Sequence, residues 1–163
     1  MSTDHVLLMT DVVDSTLLSE RLGDEAGAEL WASHDRITRD LLHRWRGREI
    51  NKSDGFLLLF DTVEDGLACA QALHRALAAM NPPLTARAGI HCAALRLRPN
   101  RDEDIRHGAK PVEVDGLAKP LAARIMGLAC GGQTLLSDSA AARHGAGPWA
   151  DHLARALATG TCQ

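Results

Sequence analysis

The hydrophobic positions of the chain alternate between short strand-like runs and longer stretches with helical spacing. Residues 5–13, 56–60 and 85–97 are apolar runs or alternate in the manner of β-strands. Residues 24–45 place large apolar side chains every three or four positions, as an amphipathic helix does, and Gly47 is expected to end it. The pattern predicts the order β-α-α-β-β-α-β-α-β.

Turn and capping signals predict the remaining elements. These are a helix over 15–22, a hairpin over 49–60, a helix over 63–80, a polar connection over 99–111, a strand over 112–114, a helix over 116–128, a strand over 133–136 and a short last helix capped at 137–139. Such an order predicts an α+β fold, a ferredoxin-like antiparallel sheet with helices packed on one face. The first strand and the hairpin then lie side by side at the centre of the sheet.

Two aspartates interrupt strand-like apolar segments. Asp11 lies within residues 6–16, and Asp54 lies between Ile50 and the apolar run 56–60. A buried carboxylate is costly unless it is paired, and a divalent cation is a common partner. Because the first strand and the hairpin adjoin, we expect Asp11 and Asp54 to meet around Mg²⁺ or Mn²⁺. For either residue alone, a turn or helix-capping role is the simpler alternative.

Composition narrows the classes of function. The length of 163 residues and the 45% apolar content fit a single domain over residues 1–163. A net charge of −3 gives no electrostatic case for nucleic-acid or membrane binding, and 3% aromatic residues offer few stacking surfaces for single strands. The four cysteines lack zinc spacing, and no signal peptide or membrane span is evident, so we expect reduced thiols and a cytoplasmic location.

Five segments, in order, resemble the catalytic domain of class III nucleotidyl cyclases, the adenylate and guanylate cyclases. They are residues 10–16 (TDVVDST), 52–56 (KSDGF), 87–91 (RAGIH), 116–124, which ends in Ala-Ala-Arg, and 132–137 (GQTLLS). The resemblance spans about residues 5–140 and leaves 141–163 as a divergent or truncated tail. It implies the cyclase type of α+β fold and a homodimer with its catalytic cleft between subunits.

The resemblance also implies roles for particular residues. Asp11 and Asp54 would hold two Mg²⁺ or Mn²⁺ ions, with which a nucleoside triphosphate is converted to its 3′,5′-cyclic nucleotide and pyrophosphate. Arg124 of the partner subunit would stabilise the developing charge, since its planar fork suits phosphate. Backbone N–H groups at the strand-to-helix turn would bind phosphate oxygens, namely those of Val12, Val13 and Asp14.

The resemblance to the cyclase family assigns base recognition to Lys52 and Glu113. Strand alternation would place positions 50, 52 and 54 on one face, so that Lys52 reaches the same pocket as Asp54. A lysine donor and a glutamate acceptor suit adenine, which favours ATP as the substrate. Lys52 lies two residues before Asp54, whereas in the family the base-recognition lysine usually lies four residues before the second metal-binding aspartate. The simpler role for Lys52 is that of an exposed strand lysine.

Two further departures keep a second function open. Pro120 occupies the slot of an asparagine that contacts ribose in the family, and no Lys-Gly motif follows Ser139. The alternative is a catalytically degenerate cyclase-fold module that binds nucleotide or dimerises for regulation. A palm-like polymerase or dinucleotide cyclase would also use paired carboxylates, but the hairpin reads Ser-Asp-Gly-Phe over 53–56 and lacks a Gly-Gly-acid-acid-Phe turn.

Overall fold

The structure is a computed structural model that describes residues 4–53 and 55–144; residues 1–3, Asp54 and residues 145–163 lie outside the described residues. Its elements follow the predicted order, with additions near the middle of the chain. They are β1 (Asp4–Val12), α1 (Ser15–Leu22), α2 (Asp24–Arg44), β2 (Arg48–Lys52), β3 (Phe56–Phe60), α3 (Val63–Ala78), β4 (Ala86–Ala94), β5 (Arg96–Pro99), α4 (Asp102–Arg106), β6 (Val112–Asp115), α5 (Ala118–Leu128), β7 (Thr134–Leu136) and α6 (Asp138–His144).

The main sheet has five strands in the order β2-β3-β1-β4-β7. β1 lies at its centre and pairs antiparallel with β3 and β4, so that Leu8 is opposite both Leu58 and Ile90. Among the described strands of this sheet, β7 alone is parallel to its neighbour, β4. The predicted α+β class, the antiparallel sheet and the central position of β1 beside the hairpin are therefore confirmed.

Helices cover both faces of this sheet, which corrects the expectation of helices on one face. Val6, Leu8 and Leu58 belong to a core cluster with residues of α2, α3 and α6. Leu7 and Leu59 point the other way and form a cluster with Ala118 and Ala122 of α5. Both faces need cover because β1 and β3 are apolar at consecutive positions, a pattern typical of strands buried on two sides.

The polar connection after β4 forms a small arm of its own. The predicted strand over 85–97 is broken at Leu95, and its continuation, β5, pairs antiparallel with β6 in a separate two-stranded sheet. Between them, residues 102–106 form the short helix α4, which the sequence analysis did not predict. Leu97 and Val114 of this arm pack against the cluster beneath α5.

The edge strand β2 contains an irregularity that decides where its side chains point. Its pairing with β3 shifts register between Glu49 and Asn51, as in a β-bulge. Ile50 packs on the α5 face of the sheet, and Asn51 is opposite Leu57, which belongs to the same cluster. Lys52 is opposite Phe56, whose side chain lies in the cluster beneath α2 and α3.

The cysteines depart in part from expectation. Cys69 and Cys92 are free and buried, whereas Cys130 is disulfide-bonded, contrary to the prediction of four reduced thiols. Burial raises the pKa of the Cys69 thiol to about 12. Within the part of the chain that the structure describes, no helix combines the length and the apolar character needed to cross a bilayer.

Candidate active site

Asp11 lies near the end of β1, on the sheet face that α5 covers. Its cross-strand neighbour on β4 is Arg87. The Arg87 guanidinium donates to Oδ2 of Asp11 from Nε at 3.1 Å and from Nη2 at 2.9 Å. Both side chains are half-buried. The strand register therefore holds this carboxylate in a charge-assisted pair at the end of the central strand.

Asp11 lines a cleft of about 270 Å³, here called the Asp11 cleft. Three parts of the chain converge on it: the end of β1, the β2–β3 hairpin with Asn51, Ser53 and Gly55, and α5 with Lys119 and Met126. The sequence predicts that Asp11 and the hairpin lie together, and the structure brings both to this cleft. The contribution of α5 from the same chain was not predicted.

The hairpin turn is seated directly against β1. A Cβ atom on Gly55 would lie 1.8 Å from the carbonyl oxygen of Thr10, so only glycine fits here without a shift. The N–H of Phe56 also approaches Oγ1 of Thr10, at 3.4 Å. Asp54 lies outside the described residues, and its predicted meeting with Asp11 stays a prediction. Its two neighbours, Ser53 and Gly55, both line the Asp11 cleft.

The donor atoms of the Asp11 cleft suit a hard divalent cation. A carboxylate, an amide oxygen and a hydroxyl come from Asp11, Asn51 and Ser53, and oxygen is the ligand that Mg²⁺ and Mn²⁺ prefer. Arg87 contacts only Oδ2 of Asp11, so Oδ1 is not engaged by the guanidinium. Within residues 4–53 and 55–144 no group of three or more His, Cys, Asp or Glu is placed to bind a metal. A two-carboxylate site would therefore need Asp54.

The strand-to-helix turn supplies fewer phosphate donors than predicted. The N–H of Val13 donates to the Thr85 carbonyl oxygen at 2.8 Å, so this amide is already satisfied within the fold. That removes Val13 from the predicted phosphate cradle. Asp14 adopts a left-handed conformation with φ of 56°, which aspartate tolerates, and begins α1 as its N-cap residue. The predicted roles of the Val12 and Asp14 amides stay predictions.

Lys52 lies on the opposite face of the sheet from Asp11. Its Nζ atom is 2.8 Å from Oδ2 of Asp35 on α2, and Oδ1 of Asp35 is 3.1 Å from Nδ1 of the buried His34. Burial raises the pKa of Asp35, but the hydrogen bonds from Lys52 and His34 outweigh it and lower the pKa overall. The prediction that Lys52 shares a face with Ile50 is wrong, because the bulge places Ile50 and Asn51 on the same side.

Glu113, the other predicted base-recognition residue, lies on the arm. It is half-buried on β6, opposite Arg98 of β5, and accepts a hydrogen bond from Nδ2 of Asn100 at 3.3 Å. Within this chain, Lys52 and Glu113 therefore have different partners on different elements. The part that Glu113 would play in base recognition stays a prediction.

Arg124 lies on the outer surface of α5. It is exposed, and it falls in a line with Leu117, Leu121 and Leu128, at the spacing of three or four residues that shares one helix face. These leucines are 77%, 40% and 75% exposed. Helix α5 thus presents Lys119 and Met126 to the Asp11 cleft of the same chain. It presents Arg124 to the outside, within an apolar stripe formed with Leu117, Leu121 and Leu128, here called the α5 stripe.

Sequence reasoning missed Asn51 and Lys119, which line the cleft, and Arg87, which pairs with Asp11. Arg87 lay within the RAGIH segment, but its pairing with Asp11 depends on the register between β1 and β4. Asn51 reaches the cleft through the bulge in β2, which the hydrophobic pattern does not show. Lys119 reaches it because α5 packs on the face that the sequence analysis left uncovered.

No protein-family model and no curated protein matches the sequence. Solved structures of nucleotidyl cyclases match the fold. An adenylate cyclase from Trypanosoma brucei matches with a TM-score of 0.76 and 21% identity over 86% of this chain and 76% of that one. The adenylyl cyclase CyaB from P. aeruginosa matches at 0.77, with 16% identity over 85% and 79% of the two chains. The guanylyl cyclase Cya2 matches at 0.78, with 22% identity over 87% and 78%. The chain therefore has the fold of class III cyclase catalytic domains, as its sequence segments indicated.

Proposed function

We propose that the chain is a nucleotidyl cyclase domain that converts a nucleoside triphosphate to its 3′,5′-cyclic nucleotide and pyrophosphate. The observation that carries the proposal is the Asp11 cleft, in which the end of β1, the tightly seated hairpin turn and α5 converge. The fold that builds it is shared with adenylyl and guanylyl cyclases. Phosphoryl transfer asks mainly for positioning and neutralisation of charge, and this cleft has the groups for both.

Asp11 and Asp54 would hold the catalytic cations, Mg²⁺ or Mn²⁺. When bound, such ions neutralise phosphate charge and lower the pKa of the attacking hydroxyl. Arg87 fixes the orientation of the Asp11 carboxylate before any ligand arrives, through its two contacts to Oδ2. A carboxylate that is already oriented loses little conformational entropy when it binds a ligand.

A second copy of the chain would complete the site. The exposed leucines of the α5 stripe are an apolar surface that association would bury, and Arg124 lies in the middle of this surface. A homodimer through α5 would therefore carry Arg124 of each protomer toward its partner. This arrangement matches what the resemblance to cyclases implies.

ATP is the substrate to test first. Glu113 can accept a hydrogen bond from the exocyclic amino group of adenine, whereas guanine presents a carbonyl oxygen at that position. The neighbours in fold include both adenylyl and guanylyl cyclases, so the fold gives no preference.

The decisive experiment incubates the purified chain with each of the four nucleoside triphosphates in Mg²⁺ or Mn²⁺ and separates the products by chromatography and mass spectrometry. We expect cyclic AMP with ATP, and no product from Asp11→Ala. If no triphosphate yields a cyclic product although the protein is dimeric, the cyclase proposal is wrong.

Mixing two inactive variants tests the shared site. Asp11→Ala and Arg124→Ala each damage one half of a site, but a mixed dimer contains one site in which both residues are intact. We expect each variant alone to be nearly inactive and their mixture to recover activity. Two variants that stay inactive when mixed, while forming mixed dimers, would contradict a site built from two protomers.

A degenerate regulatory module is the second candidate function. Pro120 has no side-chain donor, the Val13 amide is engaged by Thr85, and Lys52 is engaged by Asp35. Such a module would bind nucleotide with an affinity that depends on Asp11 and would release no pyrophosphate. Binding measured by calorimetry, in parallel with the product assay, separates the two functions.

A further inference from the structure

Lys119 is a cation at the edge of the Asp11 cleft with no assigned role. It is half-buried in the first turn of α5 and lines the cleft together with Asp11, Asn51 and Ser53. Among the described residues, 4–53 and 55–144, Lys119 forms no ion pair. A half-buried ammonium that faces a cleft and pairs with none of the described carboxylates favours an anionic ligand there.

The position of Lys119 is fixed by how closely α5 approaches the sheet. A Cβ atom on Gly89 of β4 would lie 2.4 Å from the backbone nitrogen of Met126, so helix and strand are in contact at this point. Ala122, one turn after Lys119, is fully buried beneath the same helix, at 0% exposure. Helix α5 therefore packs closely on β4. This fixes the backbone of Lys119 beside the cleft and leaves its side chain free to change rotamer.

The charges of the described cleft residues leave one cation unpaired. Asp11 is neutralised by Arg87 at 2.9 Å, which leaves the ammonium of Lys119 as the uncompensated charge among the described cleft residues. A lysine ammonium acts on phosphate as a mobile point charge with three donors. Its hydrocarbon stem can at the same time cover apolar surface, such as that of Met126.

We propose that Lys119 binds the triphosphate of the nucleotide in the Asp11 cleft of its own protomer. The inference rests on the proposed function for the identity of the ligand. It adds a phosphate-binding cation from the same chain as Asp11, beside the Arg124 that the partner would supply. It also gives the cleft a hydrogen-bond donor next to position 120, where proline has no side-chain donor.

The test compares Lys119→Met with Lys110→Met. Methionine keeps the length and the apolar stem but removes the charge. Lys110 is the matched control because it is also half-buried, lies outside the cleft, and contributes its backbone carbonyl to Asn100, which the change leaves in place. Lys119→Gln serves as a second variant should the methionine protein prove unstable by circular dichroism.

The measurement is calorimetric binding of inorganic tripolyphosphate and of ATP in the presence of Mg²⁺. We expect Lys119→Met to weaken tripolyphosphate binding roughly tenfold or more, since hydrogen bonds to charged groups are the strong ones. Lys110→Met should bind as the unaltered protein does. Equal affinity of Lys119→Met and the unaltered protein, or no tripolyphosphate binding by the unaltered protein, would overturn the inference.

The two proposals fail in distinguishable ways. If the unaltered protein binds tripolyphosphate through Lys119 but forms no cyclic nucleotide, the cyclase function fails and the Lys119 site stands. If the protein is an active cyclase and Lys119→Met has an unchanged KM for ATP and unchanged tripolyphosphate affinity, the Lys119 site fails and the function stands.

Discussion

At the scale of single residues, Asp11 matters both for folding and for the proposed chemistry. Its pair with Arg87 joins two central strands, yet both side chains remain half exposed to solvent. Exposed and half-exposed ion pairs contribute about 1 kcal/mol or less to stability. The chemical role of Asp11 should therefore exceed its structural role by a wide margin.

Asp11→Asn is predicted to lower the proposed cyclase activity sharply while the fold survives. We expect turnover to fall about a hundredfold or more, because the neutral amide no longer binds a cation well, and the free energy of unfolding to fall by about 1 kcal/mol or less. Product formation and urea unfolding measure the two effects. Asp115→Asn removes a similar cross-strand pair with Arg98 on the arm and should leave activity intact.

Lys52→Met is predicted to lower stability without changing base preference. The substitution leaves Asp35 with His34 but without its ammonium partner, at a cost of about 1 kcal/mol. The ratio of ATP to GTP turnover should stay constant, because Lys52 faces α2. A clear change in that ratio, with stability unaffected, would contradict this prediction and would support a role for Lys52 in base recognition.

Lys52 and Arg87 show what the sequence could and could not predict about the site. Asp11 was predicted as a site residue because a carboxylate within an apolar run is visible in the sequence. Strand alternation failed for Lys52, since one bulged residue inverts every side chain beyond it and leaves no mark on the hydrophobic pattern. Predicting the pair of Arg87 with Asp11 requires the register between β1 and β4, which the sequence of one segment does not specify.

At the scale of elements, the seat of α5 on β4 depends on a residue without a side chain. Gly89→Ala is predicted to destabilise the fold by about 1–3 kcal/mol, because the added methyl group would overlap the backbone of α5. Gly127 lies within the same helix with nothing near its added Cβ, so Gly127→Ala should stabilise by about 0.5–1 kcal/mol. Chemical denaturation of both variants measures the difference, and equal effects would contradict this packing.

The elements themselves were largely predictable. Helix α1 was predicted over the same residues, 15–22, and the bounds of α2 and α3 differ from prediction by one or two positions at their ends. The packing of α5 on the second face of the sheet was not predicted, although the consecutive apolar residues of β1 and β3 indicate that both faces are buried. The arm could not be predicted in the same way. Its short strands and α4 depend on the chain reversal that brings β5 beside β6, which the hydrophobic pattern does not show.

At the scale of the whole molecule, three histidines should make the free energy of unfolding depend on pH. Burial lowers the pKa of His34, His74 and His91 below the ordinary value of 6.5, and for His34 this outweighs the raising effect of Asp35. Below that value the unfolded chain binds protons that the folded chain does not. Their stabilising effect is therefore complete above pH 6.5 and is lost as the pH falls further.

The midpoint of urea unfolding should accordingly fall between about pH 7.5 and pH 5.5. His74→Gln should reduce this dependence, since glutamine does not titrate and can still bond to Thr134, the partner of His74 at 2.9 Å. His107→Gln, at an exposed position directly after α4, is the control and should change nothing. A midpoint that is constant over this range would contradict the prediction.

The bulge in β2 has a further consequence for how copies of the chain can meet. An open sheet edge is a template for the addition of a foreign strand, and proteins blunt it with bulges, charges or short strands. β2 carries a bulge together with Arg48, Glu49 and Lys52, and β7, the opposite edge among the described strands, has three residues. These two edges discourage fibre-like growth, so the proposed homodimer would form through helix surfaces rather than by strand addition.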